Sequence, residues 1–279
     1  MSERIAPTPV DAVLLGGKDS DKTGFNGGYK YMLEIGGREM LSSVLDALDE
    51  AAFIDKVFFV APPEIVRDRV VGRKKEYVLI EQQGNLLANI GTGIERQQQA
   101  GGKEHLLMVC SDLPFLTSAS VDWLVINSQQ KPNFQVPVVS HRRVQELLPT
   151  YETYFWPMKE YSFKLGNNIL IDINVLNEER IELLVEQYRN SGSDNYMLMS
   201  LKRIALLQKY GGTEAVYTLM LNYLSKMIQL KYGSNGGVPL AGLRSQADYE
   251  RVLTKIVGRE SRLLASPIVD VVLDVDNPL

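Results

Sequence analysis

Chemistry-bearing residues gather at two places in the chain. From Gly16 to Lys30 the sequence reads Gly-Gly-Lys-Asp-Ser-Asp-Lys-Thr-Gly-Phe-Asn-Gly-Gly-Tyr-Lys. Glycines at 16, 17, 24, 27 and 28 let backbone N–H groups crowd round an anion, and the ammonium groups of Lys18, Lys22 and Lys30 neutralise it. A phosphate site suits that composition. Neither common nucleotide motif accounts for it, because no Gly-Lys-Ser/Thr closes a Walker A loop and Gly16, Gly17 and Gly24 do not space as G-x-G-x-x-G. The second place is Ser111-Asp112-Leu113-Pro114, where a carboxylate follows an apolar run and a proline fixes the turn. A carboxylate beside bound phosphates has a natural partner in Mg²⁺. The plainer readings are a glycine-rich surface turn for the loop and an Asx turn or helix cap for Asp112.

The elements that must carry these residues follow from periodicity. Ala12 to Leu15 is a short apolar run, predicting a buried parallel strand that Gly16-Gly17 stops. Leu41, Val44, Leu45 and Leu48 have the spacing of a helix with one buried face, and Lys56 to Val60 predicts a second buried strand. Together they form a βαβ unit of right-handed connection. A polar helix over 64–73, a strand over 77–80, a glycine-bearing turn at 84–93 feeding a helix, and a strand over 106–109 continue the alternation. The implied class is α/β, a doubly wound, mostly parallel sheet, whose ligands bind beyond the carboxyl ends of the strands.

Further on, 134–139 predicts a strand that Pro137 assigns to an edge or a bulge. His141-Arg142-Arg143 reads as a solvated loop with a surface histidine, and the aromatic stretch 151–163 as core packing, or a hairpin over the site. From 177 to about 232 the pattern is helical, with Val216, Met220, Tyr223, Leu224 and Met227 on an inward face; as an alternative, that methionine-rich face is an oligomer interface, which admits a homodimer. A helix over 246–257 and a final strand over 268–276 close the chain. The expected division is an α/β core over 1–176, a helical subdomain over 177–245, and a helix and strand over 246–279 that return to the core.

The opening segment resembles the MobA-like nucleotidyltransferases, whose pattern is roughly L-A-G-G-x-S-x-R-M-G-x-x-K-x-L-L-x-I-x-G. It is met here by Leu14, Leu15, Gly16, Gly17, Ser20, Gly24, Lys30, Met32, Leu33 and Ile35-Gly36, with Lys22 where the pattern has arginine. Ser111-Asp112-Leu113-Pro114-Phe115-Leu116 is similar to the D-x-P-x-L segment of the family, Gly166-Asn167 to its G-N segment, and Asp274-Val275-Asp276-Asn277-Pro278 to its closing D-I-D-T-P. The resemblance implies a Rossmann-like sheet of the nucleotide-diphospho-sugar transferase type with a helical insert. It implies an Mg²⁺-dependent transfer of a nucleotide from GTP or CTP to a small phosphorylated acceptor, a molybdopterin-type cofactor or a sugar phosphate. Leu15, Gly16, Gly17, Ser20 and Gly24 would line the nucleotide, Lys22 and Lys30 hold the triphosphate, Asp112 carry the metal and Asn167 add a second metal or acceptor contact. Asn85 and Asn89 would hold base and sugar, although an asparagine opening a helix is equally a cap.

Composition sets the outer bounds. With 30 Lys and Arg against 34 Asp and Glu, the net charge of −4 argues against a general grip on nucleic acid, so bound phosphate must be held locally. The single cysteine, Cys110, excludes an internal disulfide and fits the cytoplasm; no apolar run reaches the length of a membrane span. A non-catalytic nucleotide-binding regulator of the same fold is the alternative, and a nicotinamide-dependent oxidoreductase is disfavoured by the missing dinucleotide fingerprint.

Overall fold

The computed structural model describes residues 7–16, 28–128, 133–151, 153–174, 180, 201–232 and 243–274. In chain order these form β1 (Val10–Leu15), a 3₁₀ turn (Lys30–Met32), β2 (Glu34–Ile35), β3 (Arg38–Glu39), α1 (Met40–Glu50), β4 (Ile54–Val60), α2 (Pro63–Val70), β5 (Glu76–Ile80) and α3 (Leu86–Gln99). Then come β6 (His105–Cys110), α4 (Ser118–Ser128), β7 (Phe134–Ser140), α5 (His141–Leu147), β8 (Phe163–Leu165), β9 (Asn168–Asp172), α6 (Leu201–Tyr232), α7 (Gln246–Val257) and β10 (Ser261–Ala265). The chain divides into two compact units, one of Met1–Pro132, Asn167–Asn174 and Leu273–Leu279, the other of Asn133–Gly166 and Val175–Val272.

The first unit is a Rossmann-like α/β sheet in the order β9-β6-β1-β4-β5, parallel except for β9, which runs antiparallel to β6. All six residues of β1 are buried, as a strand covered on both faces requires. Helix α1 packs against α4, and α3 lies on β1 and β4. The approach of α3 is close: a Cβ at Gly93 would sit 2.7 Å from the Val13 Cγ1 atom, so only glycine fits there. From β1 the chain builds outward through β4 and β5, then returns to β6 on the other side of β1. The strand order therefore reverses between β1 and β6, where doubly wound sheets open a crevice at their carboxyl ends.

In the second unit β7 pairs in parallel with β10 and antiparallel with β8, and α6 packs with α7 through Leu207, Ala215, Leu219, Val252 and Ile256. Pro137 lies just before the stretch of β7 paired with β8, and its carbonyl accepts the Gly166 N–H at 2.8 Å. Helix α6 breaks at Gly212, whose φ of 69° is left-handed and favours glycine.

Four sequence expectations need correction in this unit. The last strand is Ser261–Ala265, in register with Phe134–Val138, whereas Asp270–Val272 turns as 3₁₀ helix; the apolar residues Val269, Val271, Val272 and Leu273 record burial, and not a two-residue period. His141-Arg142-Arg143 opens a helix, with the Ser140 hydroxyl accepting from the Arg143 N–H, and both arginines pair with Glu146. His141 is not a surface residue; its ring lies 4.2 Å from that of Phe155, and its partly buried imidazole has its pKa lowered by lost hydration. Finally, Met220, Leu224 and Met227 face outward, each about half exposed, while Thr218, Asn222, Ser225 and Gln229 are buried. Neighbouring polar groups explain the inversion: Gln229 donates to the Phe155 carbonyl and accepts from its N–H, and Asn222 accepts the Tyr249 hydroxyl proton.

Candidate functional site

The register of β1 on β6 pairs Leu15 with Cys110, so the residues following each strand emerge side by side. Gly16 continues from β1, donating its N–H to the Val60 carbonyl at 2.8 Å. A side chain there would not fit, because a Cβ would meet the Phe59 ring at 2.8 Å and the Tyr31 ring at 3.3 Å. Tyr31 is itself buried, and burial pushes its hydroxyl pKa well up, so it keeps its proton.

Across this edge, Lys30 donates from Nζ to Asp112 Oδ2 at 2.7 Å, bridging 82 positions of sequence. Both side chains are largely covered, at 15% and 24% exposure. The other oxygen, Asp112 Oδ1, is buried with no hydrogen-bond partner among the described residues. A buried carboxylate oxygen with nothing to bond is costly, and a cation removes that cost.

The antiparallel strand β9 completes the edge. Asn168 is opposite Val109, so Asn167 lies level with the residues that lead to Asp112. Asn167 donates from Nδ2 to Asp274 Oδ2 at 2.7 Å. Asp274 had no role in the sequence reading, although its segment was noticed; the alternation of acidic residues was the available signal, and the return of the chain to this edge was not legible. Cys110 reports the local field. Burial pushes its thiol pKa far up, the Asp112 and Asp274 carboxylates push it further, and Lys30 pulls slightly the other way. That thiol is no nucleophile.

The structure thus brings Leu15, Gly16, Lys30, Asp112 and Asn167 to one sheet edge and adds Asp274 and Tyr31. Gly17, Ser20, Lys22 and Gly24 lie outside the described residues. Asn85 caps α3, its Oδ1 accepting from the Ala88 N–H at 2.9 Å, and the buried Asn89 accepts the Gln83 N–H at 2.6 Å. Their side-chain oxygens shape the turn after β5. Among the described residues no group of three or more His, Cys, Asp or Glu could hold a metal, and no helix is long and apolar enough to cross a membrane.

A family model described as the MobA-like NTP transferase domain matches residues 12–166. A hypothetical transferase of Thermus thermophilus superposes with a TM-score of 0.66 at 23% identity, covering 96% of this chain and 97% of its own, a likeness of fold. The 4-diphosphocytidyl-2C-methyl-D-erythritol synthase of Anaerococcus prevotii is similar at a TM-score of 0.46 and 12% identity over 65% of this chain and 77% of its own. No curated protein matches.

Proposed function

The chain belongs to the MobA-like NTP transferase family, and we propose that it is an Mg²⁺-dependent enzyme that transfers a nucleotide from GTP or CTP to a phosphate-bearing acceptor, releasing pyrophosphate. The acceptor class is a molybdopterin-type cofactor or a sugar phosphate. One observation carries the reading: Lys30 and Asp112 meet at the switch point of the sheet while Asp112 Oδ1 stays buried with no hydrogen-bond partner among the described residues. A carboxylate oxygen in that state fits a hard cation that takes most of its remaining ligands from phosphate and water. With the Asn167 amide nitrogen donating to Asp274, its carbonyl oxygen is the atom it could turn to the same cation.

In the proposed reaction an acceptor oxygen attacks the α-phosphorus in line and the bond to the β-phosphate oxygen breaks, pyrophosphate leaving with the electron pair. When bound, Mg²⁺ supplies charge neutralisation across the phosphates. Lys30, beside Asp112, and Lys22, from the glycine loop, would hold the triphosphate. Glycine at 16 and 17 would leave the phosphates room beside the backbone. Such a site works by positioning and fixed charge, with no covalent intermediate.

A thermal-shift panel of ATP, GTP, CTP and UTP, each with and without Mg²⁺, tests this, because a ligand held only by the native state raises Tm by mass action. The expected outcome is stabilisation by GTP or CTP that needs Mg²⁺ and is lost in Asp112→Asn, with pyrophosphate release once acceptor is added. Metal-independent stabilisation without pyrophosphate release under any acceptor would identify a nucleotide-binding regulator instead.

A further inference from the structure

The second unit holds a partly open cavity of about 100 Å³ between its sheet and the pair α6 and α7. Trp156, Phe163 and Tyr249 form an aromatic wall, with the Phe163 and Tyr249 rings edge to face at 5.6 Å, and Leu219 and Val252 contribute from the helices. Among the described residues that line it, none carries a charge. Protein interiors leave few voids larger than a water molecule, so a space of this size is unusual packing.

The helix that bounds it had the means to fill it. On α6 the positions turned to the cavity include the small side chains Ala215 and Thr218, while bulky Tyr217, Met220 and Leu224 stand about half exposed on the other side. The inward polar groups have partners: the Tyr249 hydroxyl, with one proton to give, lies 2.7 Å from the Pro157 carbonyl and 2.6 Å from Asn222 Oδ1, and Thr218 donates to the Glu214 carbonyl at 2.8 Å.

We propose that this cavity is a binding site for a compact, uncharged hydrocarbon ligand of aromatic-ring size. An apolar cavity of ~150 Å³ is known to stay dry and to take benzene, which sets the scale. The aromatic wall favours a ring by edge-to-face contact, and the absence of charge among the described lining residues disfavours a carboxylate or an ammonium. The site is separate from the Lys30–Asp112 edge and does not rest on the transferase reading.

Benzene, with benzoate as charged control, is the probe, and Tm and titration calorimetry on the full chain are the readouts. Benzene should raise the Tm of the wild type in a concentration-dependent way, and benzoate should not. Thr218→Leu, which occupies the space, should weaken benzene binding at least tenfold, and Ala215→Val provides a second, smaller filling if the first fails to fold. No benzene binding by the wild type, equal binding by benzoate, or undiminished binding by a folded filled variant would overturn the proposal.

Discussion

Lys30 and Asp112 show how much one pair of side chains depends on its surroundings. Their contact is a charge-assisted hydrogen bond between largely covered groups, so it is stronger than an exposed ion pair. Removing Lys30 leaves Asp112 buried without its cation. In the proposed reaction Lys30→Ala should lower kcat by roughly 10²–10³, the scale of losing a preorganised donor, with a smaller change in KM. Steady-state pyrophosphate release measures it, and an unchanged kcat would remove Lys30 from the machinery. His141 makes a different prediction. Burial lowers its pKa below the ordinary 6.5, so the folded state binds that proton less readily than the unfolded chain. Its contribution to stability is complete above pH 6.5 and is lost as pH falls through the folded value. Tm followed from pH 7.5 to 5 should decline less steeply in His141→Gln than in the wild type.

Among the elements, α6 and α3 carry the clearest tests. Leu219 is buried in the core shared with α7, whereas Leu224 on the same helix is about half exposed. Leu219→Ala should cost about 2–4 kcal/mol, and Leu224→Ala under about 1 kcal/mol, by urea denaturation. Equal costs would mean that the outward face is covered in solution. On α3, Gly93 touches the β1 side chain Val13. Gly93→Ala should cost ~1–3 kcal/mol by overpacking, although alanine is the better helix former, because the steric term outweighs the propensity gain of ~1 kcal/mol.

For the molecule as a whole, the two compact units carry separate features. The sheet edge of the first holds Lys30, Asp112, Asn167 and Asp274; the cavity belongs to the second. Hydrogen exchange should show protection by Mg²⁺ and GTP or CTP at the ends of β1 and β6, with α6 and α7 unchanged. Protection confined to α6 and α7 would contradict the assignment of the nucleotide to the β1–β6 edge.

What was legible in the sequence was whatever local pattern controls. The apolar runs of β1, β4 and β6 and the spacing of α1 reported their own period, and the end of β1 at Gly16 carried its own signal. The meeting of Lys30 with Asp112 was only half legible, because residue types announced the chemistry while the distance between them is a matter of strand order. The rest was decided in three dimensions. A helix with two apolar faces does not say which one packs, and on α6 Gln229 and Asn222 turn inward to the Phe155 backbone and the Tyr249 hydroxyl, both distant in sequence. The pairing of Asn167 with Asp274 depends on the chain returning to one sheet edge after more than a hundred positions. A local pattern holds no record of so distant a closure, so tertiary packing alone could place it.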